Sequence, residues 1–203
     1  MIDVASITPS TRDFLQAIAS NRKRLVLVPL IDRVEDAVAL AAAGVTAFAV
    51  AAPGSILRAV SASTGSAPIL CLGLVTSRDD ALVARASGAD AVVIDAASDG
   101  SRWSSLAREA SSARMASLAL VVDDATSAVA ASVAARGVYL KAHAAVDLSA
   151  MTARLGSARI VAHLPSADER LLRALRGRVD AAIVESDLYL STSFDTLREE
   201  LDP

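Results

Sequence analysis

Short apolar runs alternate with longer stretches of helical spacing, eight times over, along most of this chain. "RLVLVPLID" (24–32) is continuously apolar before its final aspartate, as a strand covered on both faces should be. The next stretch, 33–44, repeats its apolar positions every three to four residues and stops at Gly44. The same alternation predicts further strands at 45–52, 67–75, 89–97, 117–124, 138–142, 158–164 and 179–186, each followed by a helix. Buried strands separated by helices require parallel pairing. Eight such units predict one closed, near-minimal (β/α)8 barrel of the TIM type over residues 24–203. A doubly wound open sheet is the competing arrangement, but the first turn, "IDRVED", has no glycine-rich phosphate loop. Residues 1–23 read as a lead-in. They carry a short helix with Phe14, Leu15 and Ile18 as its apolar stripe and Ser10 or Thr11 as its cap. The strand-to-helix loops are short, so the mouth is expected to be open, or covered by the first helix or by a partner subunit.

Composition narrows the setting. The hydrophobic fraction is 53 % but aromatics reach only 3 %, which suits helices packed closely on a sheet. The net charge of −3 and the lack of a basic run give no footprint for nucleic acid. The single cysteine, Cys71, excludes an internal disulfide and fits a reducing compartment. No apolar run reaches the roughly 18 residues of a membrane span, and the start lacks the pattern of a secretion signal. A cytoplasmic protein is expected.

The chemistry of a barrel of this kind gathers at the C-terminal ends of its strands. Lysine is scarce here, with only Lys23 and Lys141 among 20 basic residues, and Lys141 falls on the sixth strand in "VYLKAHAA". Alternation places Tyr139, Lys141 and His143 on one face. Asp95 ends strand four, Asp123 lies at the end of strand five, His163 shares a phase with Val161, and Glu185 ends strand eight. Lys141, Asp95, Asp123, His143 and His163 are therefore the candidate catalytic residues. Cys71, Tyr139 and Glu185 are candidates for contacting substrate, although Cys71 also reads as a small buried hydrophobe. An inward lysine is either a structural charge paired with Asp95 or Asp123, or a buried amine for charge stabilisation or Schiff-base chemistry. Asp32, Asp124 and Asp187 are expected as helix caps. The two histidines show no H-x-E or H-x-H spacing, so neither a metal nor another cofactor is expected. Strands one to three contribute mostly apolar residues, which suits a ligand with one polar and one apolar end.

"SGADAVVIDAA", "SLALVVDDATSAVAAS" and "VDAAIVESDLYL" resemble the fourth, fifth and eighth units of indole-3-glycerol-phosphate synthase, a ribulose-phosphate-binding barrel. The resemblance runs from about residue 13 to the end and implies a barrel enzyme. The family's functional positions are occupied differently here. Its first-strand glutamate and lysine match Val28 and Leu30, its third-strand lysine Leu72, and its fifth-strand glutamate Val122. Its sixth-strand asparagines match Ala142 and His143. Its phosphate-binding seventh-strand serine and glycine match Leu164 and Pro165, and its eighth-strand glycine matches Glu185. "VPLIDRVEDAVALAAAGVTAFAV" also resembles the opening of the keto-deoxy-phosphogluconate aldolases, whose strand-six Schiff-base lysine matches Lys141.

Together these readings predict a diverged barrel enzyme with lyase or cyclisation chemistry on a small carbonyl or aromatic compound. Indole-glycerol-phosphate synthesis itself is not expected. The rival reading is a non-catalytic barrel that binds a ligand or a partner protein. A small-molecule ligand is the expected partner, with a homo-oligomer or a partner enzyme as further possibilities.

Overall fold

The structure is a computed structural model that describes residues 7–19, 23–95, 100–141, 148–163 and 169–201. Eight parallel strands close in sequence order: β1 (Val26–Ile31), β2 (Phe48–Val50), β3 (Ile69–Val75), β4 (Ala91–Asp95), β5 (Ala116–Val121), β6 (Gly137–Lys141), β7 (Arg159–His163) and β8 (Ala181–Glu185). Each falls within or beside the apolar run that predicted it. Helices alternate with the strands, as in a (β/α)8 barrel: α2 (Val34–Ala42), α3 (Ser55–Ser63), α4 (Arg78–Ala86), α5 (Gly100–Ser112), α6 (Asp124–Ser132), α7 (Leu148–Arg154), α8 (Glu169–Leu175) and α10 (Thr192–Leu201). The lead-in helix is α1 (Phe14–Ala17), and a one-turn helix, α9 (Ser186–Tyr189), follows β8 directly. The sequence pattern missed α9 because four residues hold no helical period.

Strand alternation divides the apolar residues into two layers. The outer layer, between sheet and helices, takes Ile31, Val50, Ile69, Val92, Ile94 and Val121. The inner layer fills the barrel with Val26, Val28, Ala49, Leu70, Val93, Leu118, Tyr139, Val161 and Ile183. Near the N-terminal ends of the strands this inner layer is small-residued, with Ala47, Ala91, Ala116 and Ala181. Phe14 and Ile18, both fully buried, pack into that inner layer. The lead-in helix therefore plugs the bottom of the barrel and does not cover the mouth. Gly137 permits the approach, since a Cβ there would lie 3.0 Å from Leu15 Cδ2 and 3.1 Å from Leu118 Cγ. The helix is shorter than predicted, and its cap is Asp13, which accepts from the Gln16 N–H at 3.0 Å.

Ser10, one of the two expected caps, has a different partner. Its hydroxyl donates to the Asp90 carboxylate at 2.6 Å. Asp90 also accepts from the Ile69 N–H at 2.9 Å and pairs with Arg12 at 2.8 Å and Arg85 at 3.0 Å. Asp180 stands at the equivalent place before β8, accepting from the Ile160 N–H at 3.0 Å and from Arg159 at 3.0 Å. Both carboxylates are almost wholly buried. Each fastens its own strand to the preceding one and satisfies a backbone donor that would otherwise be orphaned.

No helix among the described residues is long and apolar enough to cross a membrane.

Candidate active site at the strand ends

Inner-layer residues fix which side chains look into the mouth. Val93 is inner, so Asp95 shares its face; Tyr139 is inner, so Lys141 does; Val161 carries His163, and Ile183 carries Glu185. Lys141 and His163 are direct neighbours in the β6–β7 ladder. The opposite phase decides Cys71. It is fully buried in the outer layer among core residues under the helices, so its thiol does not line the mouth. Burial there pushes its pKa up, which leaves an unreactive thiol. That corrects the expectation of a substrate contact.

Asp123 is also corrected. It lies just past β5 and caps α6, where it accepts from the Thr126 N–H at 2.8 Å. Thr126 returns a bond to the Asp123 backbone N–H at 3.1 Å, completing a capping box. The Thr126 N–H and hydroxyl hold the Asp123 carboxylate below its ordinary range. Such a carboxylate is engaged in capping α6. Asp124, the expected cap, is the first residue of α6 and pairs with Arg154 at 2.8 Å. Neither Asp32 nor Asp187 caps a helix: the caps of α2 and α9 are Arg33 and Glu185. At β5 the inward position belongs to Leu120.

Lys141 stands in the inward phase but is exposed, at the solvent edge of the mouth. Its amine is not buried in the barrel, and the desolvation that turns a lysine into a nucleophile requires such burial. Glu185 is likewise exposed, and Asp95 is half-buried. His163 is half-buried above Tyr139, which is 5 % exposed. The Tyr139 hydroxyl and His163 Nδ1 are 2.5 Å apart, with ring centroids at 5.9 Å. Burial raises the Tyr139 phenol to about 12. Burial and the nearby Lys141 charge both lower His163, which favours neutral imidazole. His143 lies outside the described residues.

The mouth is two-sided. Asp95, Lys141, His163 and Glu185 come from β4, β6, β7 and β8. Leu30, Leu72 and Leu120 are half-buried inner-layer neighbours from β1, β3 and β5. Leu74, 41 % exposed, follows an irregularity in β3 where the register with β4 shifts after Cys71. Among the described residues no group of three or more metal-ligating side chains forms.

No family model matches the chain, and no curated protein matches it. Solved structures do. KGPDC from Streptococcus mutans superposes with a TM-score of 0.68 at 11 % identity, covering 88 % of this chain and all of its own. The 3-hexulose-6-phosphate synthase of Salmonella typhimurium gives 0.67 at 16 %, covering 87 % of this chain and 96 % of its own. A 4-hydroxy-2-oxoglutarate/2-dehydro-3-deoxyphosphogluconate aldolase gives 0.64 at 19 %, covering 93 % and 95 %. The shared feature is the barrel. These neighbours are ribulose-phosphate-binding and aldolase-type TIM barrel enzymes, and at such identities the likeness establishes the fold alone.

Proposed function

We propose that this chain is a lyase-type barrel enzyme acting on a small uncharged carbonyl compound. The observation that carries the reading is the convergence of Lys141, His163, Asp95 and Glu185 on the inward phase at the strand ends, opposite Leu30, Leu72 and Leu120. The rim carries two carboxylates and one ammonium, so an anionic ligand would meet net repulsion. A neutral carbonyl would not. Negative charge developing on its oxygen during reaction falls next to Lys141. Charge stabilisation of that kind acts in the transition state and costs little in the ground state.

The reaction has two linked movements. Asp95 takes the proton of a hydroxyl on the second carbon from the carbonyl, the bond between that carbon and the one beside the carbonyl breaks, and the hydroxyl-bearing fragment leaves as an aldehyde. The released electron pair moves onto the carbonyl oxygen as an enolate, which the Lys141 ammonium stabilises. Reprotonation at carbon completes the cycle. Glu185 and Tyr139 shape the polar side, and the leucines hold the apolar body of the ligand. The structural neighbours include enzymes whose names denote lyase and aldolase chemistry, and the sequence resemblance to indole-3-glycerol-phosphate synthase supports the same scaffold. The phosphate common to those names is not carried over. Glu185 stands exposed at the cap of α9, where its charge opposes an anion.

The test is turnover of a panel of small aldehydes, ketones and their aldol adducts, comparing the protein with Lys141→Met. A charge-stabilising lysine predicts a loss of about 10²- to 10³-fold for any substrate found. Unchanged turnover in the variant would remove Lys141 from the mechanism. A borohydride-trapped adduct on Lys141 would replace charge stabilisation with Schiff-base chemistry.

A further inference from the structure

We propose that Tyr139 holds His163 as the neutral tautomer protonated at Nε2, so that the imidazole meets a ligand as a hydrogen-bond donor to a carbonyl oxygen. The ligand class rests on the function proposed above; the tautomer does not.

A single proton between the Tyr139 oxygen and His163 Nδ1 can belong to either ring. If Nδ1 carried it, the tyrosine hydroxyl would have to donate elsewhere. Tyr139 packs in the inner layer with Val161, Leu118, Leu120 and Val93, none of which offers a side-chain acceptor. Among the described residues, His163 is the one side chain bonded to this hydroxyl. The hydroxyl therefore donates to Nδ1, and the remaining ring proton sits on Nε2. Nδ1 faces the buried tyrosine. Nε2 lies on the other side of the ring, and His163 is the half-exposed member of the pair.

The Lys141 charge acts on the imidazole in the same direction, and the two carboxylates of the inner face oppose it. From β6 the Lys141 ammonium is its ladder neighbour and disfavours a second positive charge. From β8 the ladder neighbour is Ile183, which is apolar, with Glu185 two residues further along the same inner face. From β4 Asp95 occupies the corresponding inner face. Adding a proton at Nδ1 would also reverse the tyrosine bond and oblige the hydroxyl to donate elsewhere. His163 is thus a fixed donor and not a proton shuttle. Lys141 and His163 Nε2–H then form a pair of donors from adjacent strands. One carbonyl oxygen can take both, while the carboxylates remain for proton transfer. The arrangement uses neutral imidazole as an electrophile, as known carbonyl enzymes do.

Long-range proton–nitrogen NMR of the full chain carrying ¹⁵N-histidine reads the tautomer directly. Only two histidines contribute, and the signal lost in His163→Gln identifies the right one. The expected result is an unprotonated Nδ1 and a protonated Nε2 through about pH 7. In Tyr139→Phe the constraint is gone, and the Nδ1–H form should appear. Added cyclohexanone, a neutral ketone with an apolar body, should shift the Nε2 signal of the unmodified protein. A protonated Nδ1 in the unmodified protein overturns the inference, and this holds even if Tyr139→Phe does not fold. A folded Tyr139→Phe that keeps pure Nε2–H removes Tyr139 as the positioning residue. A signal unmoved up to the solubility limit of the ketone overturns the donor role. Failure of the turnover panel with the predicted tautomer present would refute the reaction and not the tautomer.

Discussion

Asp123→Ala removes a helix cap that the sequence had placed among the catalytic candidates. The expected outcome is a small drop in melting temperature, measured by calorimetry, with turnover unchanged for any substrate that requires Lys141. A loss of turnover with stability intact would return Asp123 to the site. Its lowered pKa carries a pH signature. A carboxylate depressed in the folded state contributes stability above its unfolded pKa, and that contribution fades as pH falls through the folded value. At this scale the sequence could be read only through alternation. Parity was enough to align Tyr139 with Lys141 and His163 with Val161. It could not choose between Asp123 and Asp124 as the cap, because one residue's shift in where β5 ends and α6 begins decides it. The Tyr139–His163 bond lies diagonally across two strands, 24 residues apart in the chain. Only the register of β6 on β7 reveals it, and no local pattern encodes that register.

Among the elements, α1 has the largest consequence for its size. Four helical residues place Phe14 in the floor of the barrel, where small side chains leave it room. Phe14→Ala is predicted to cost about 3 to 5 kcal/mol in denaturant unfolding, as for other buried phenylalanines. A cost under about 1 kcal/mol would mean that the floor closes without it. The strand starts make a comparable demand. Asp90→Ala leaves two arginines and the Ile69 N–H without their shared acceptor, and a loss of about 3 to 5 kcal/mol is expected. The alternation of strands and helices was legible because both layers around a parallel strand are apolar, so each strand appears as an unbroken run. The direction of the lead-in helix was not. Its apolar stripe shows that it packs, and either end of the barrel could have received it. The alanines on the inner face at the bottom decide, and their meaning depends on strand order and register.

Over the whole molecule, the barrel separates its buried ion pairs from its ionisable rim along its axis. Buried Asp90 and Asp180 and the α1 plug lie at the floor, and the ionisable groups proposed for function lie at the opposite rim. Stability below neutrality should depend on His163. Its pKa is lowered on folding, so the unfolded chain binds its proton more readily. Stability from this residue is present above about pH 6.5 and is lost as pH falls from there toward the folded value. Melting temperatures followed downward from about pH 7.5 should therefore decline, and His163→Asn should flatten that decline. An unchanged slope would show that other groups set it. The central claim is that the rim performs carbonyl chemistry with Lys141 at its centre. The most direct measurement is deuterium exchange in heavy water at the carbon beside the carbonyl, followed by proton NMR for a series of simple ketones and aldehydes. The account predicts exchange above the buffer rate with the unmodified protein and its loss in Lys141→Met. Exchange at the buffer rate for every compound, or equal exchange in the variant, would contradict it.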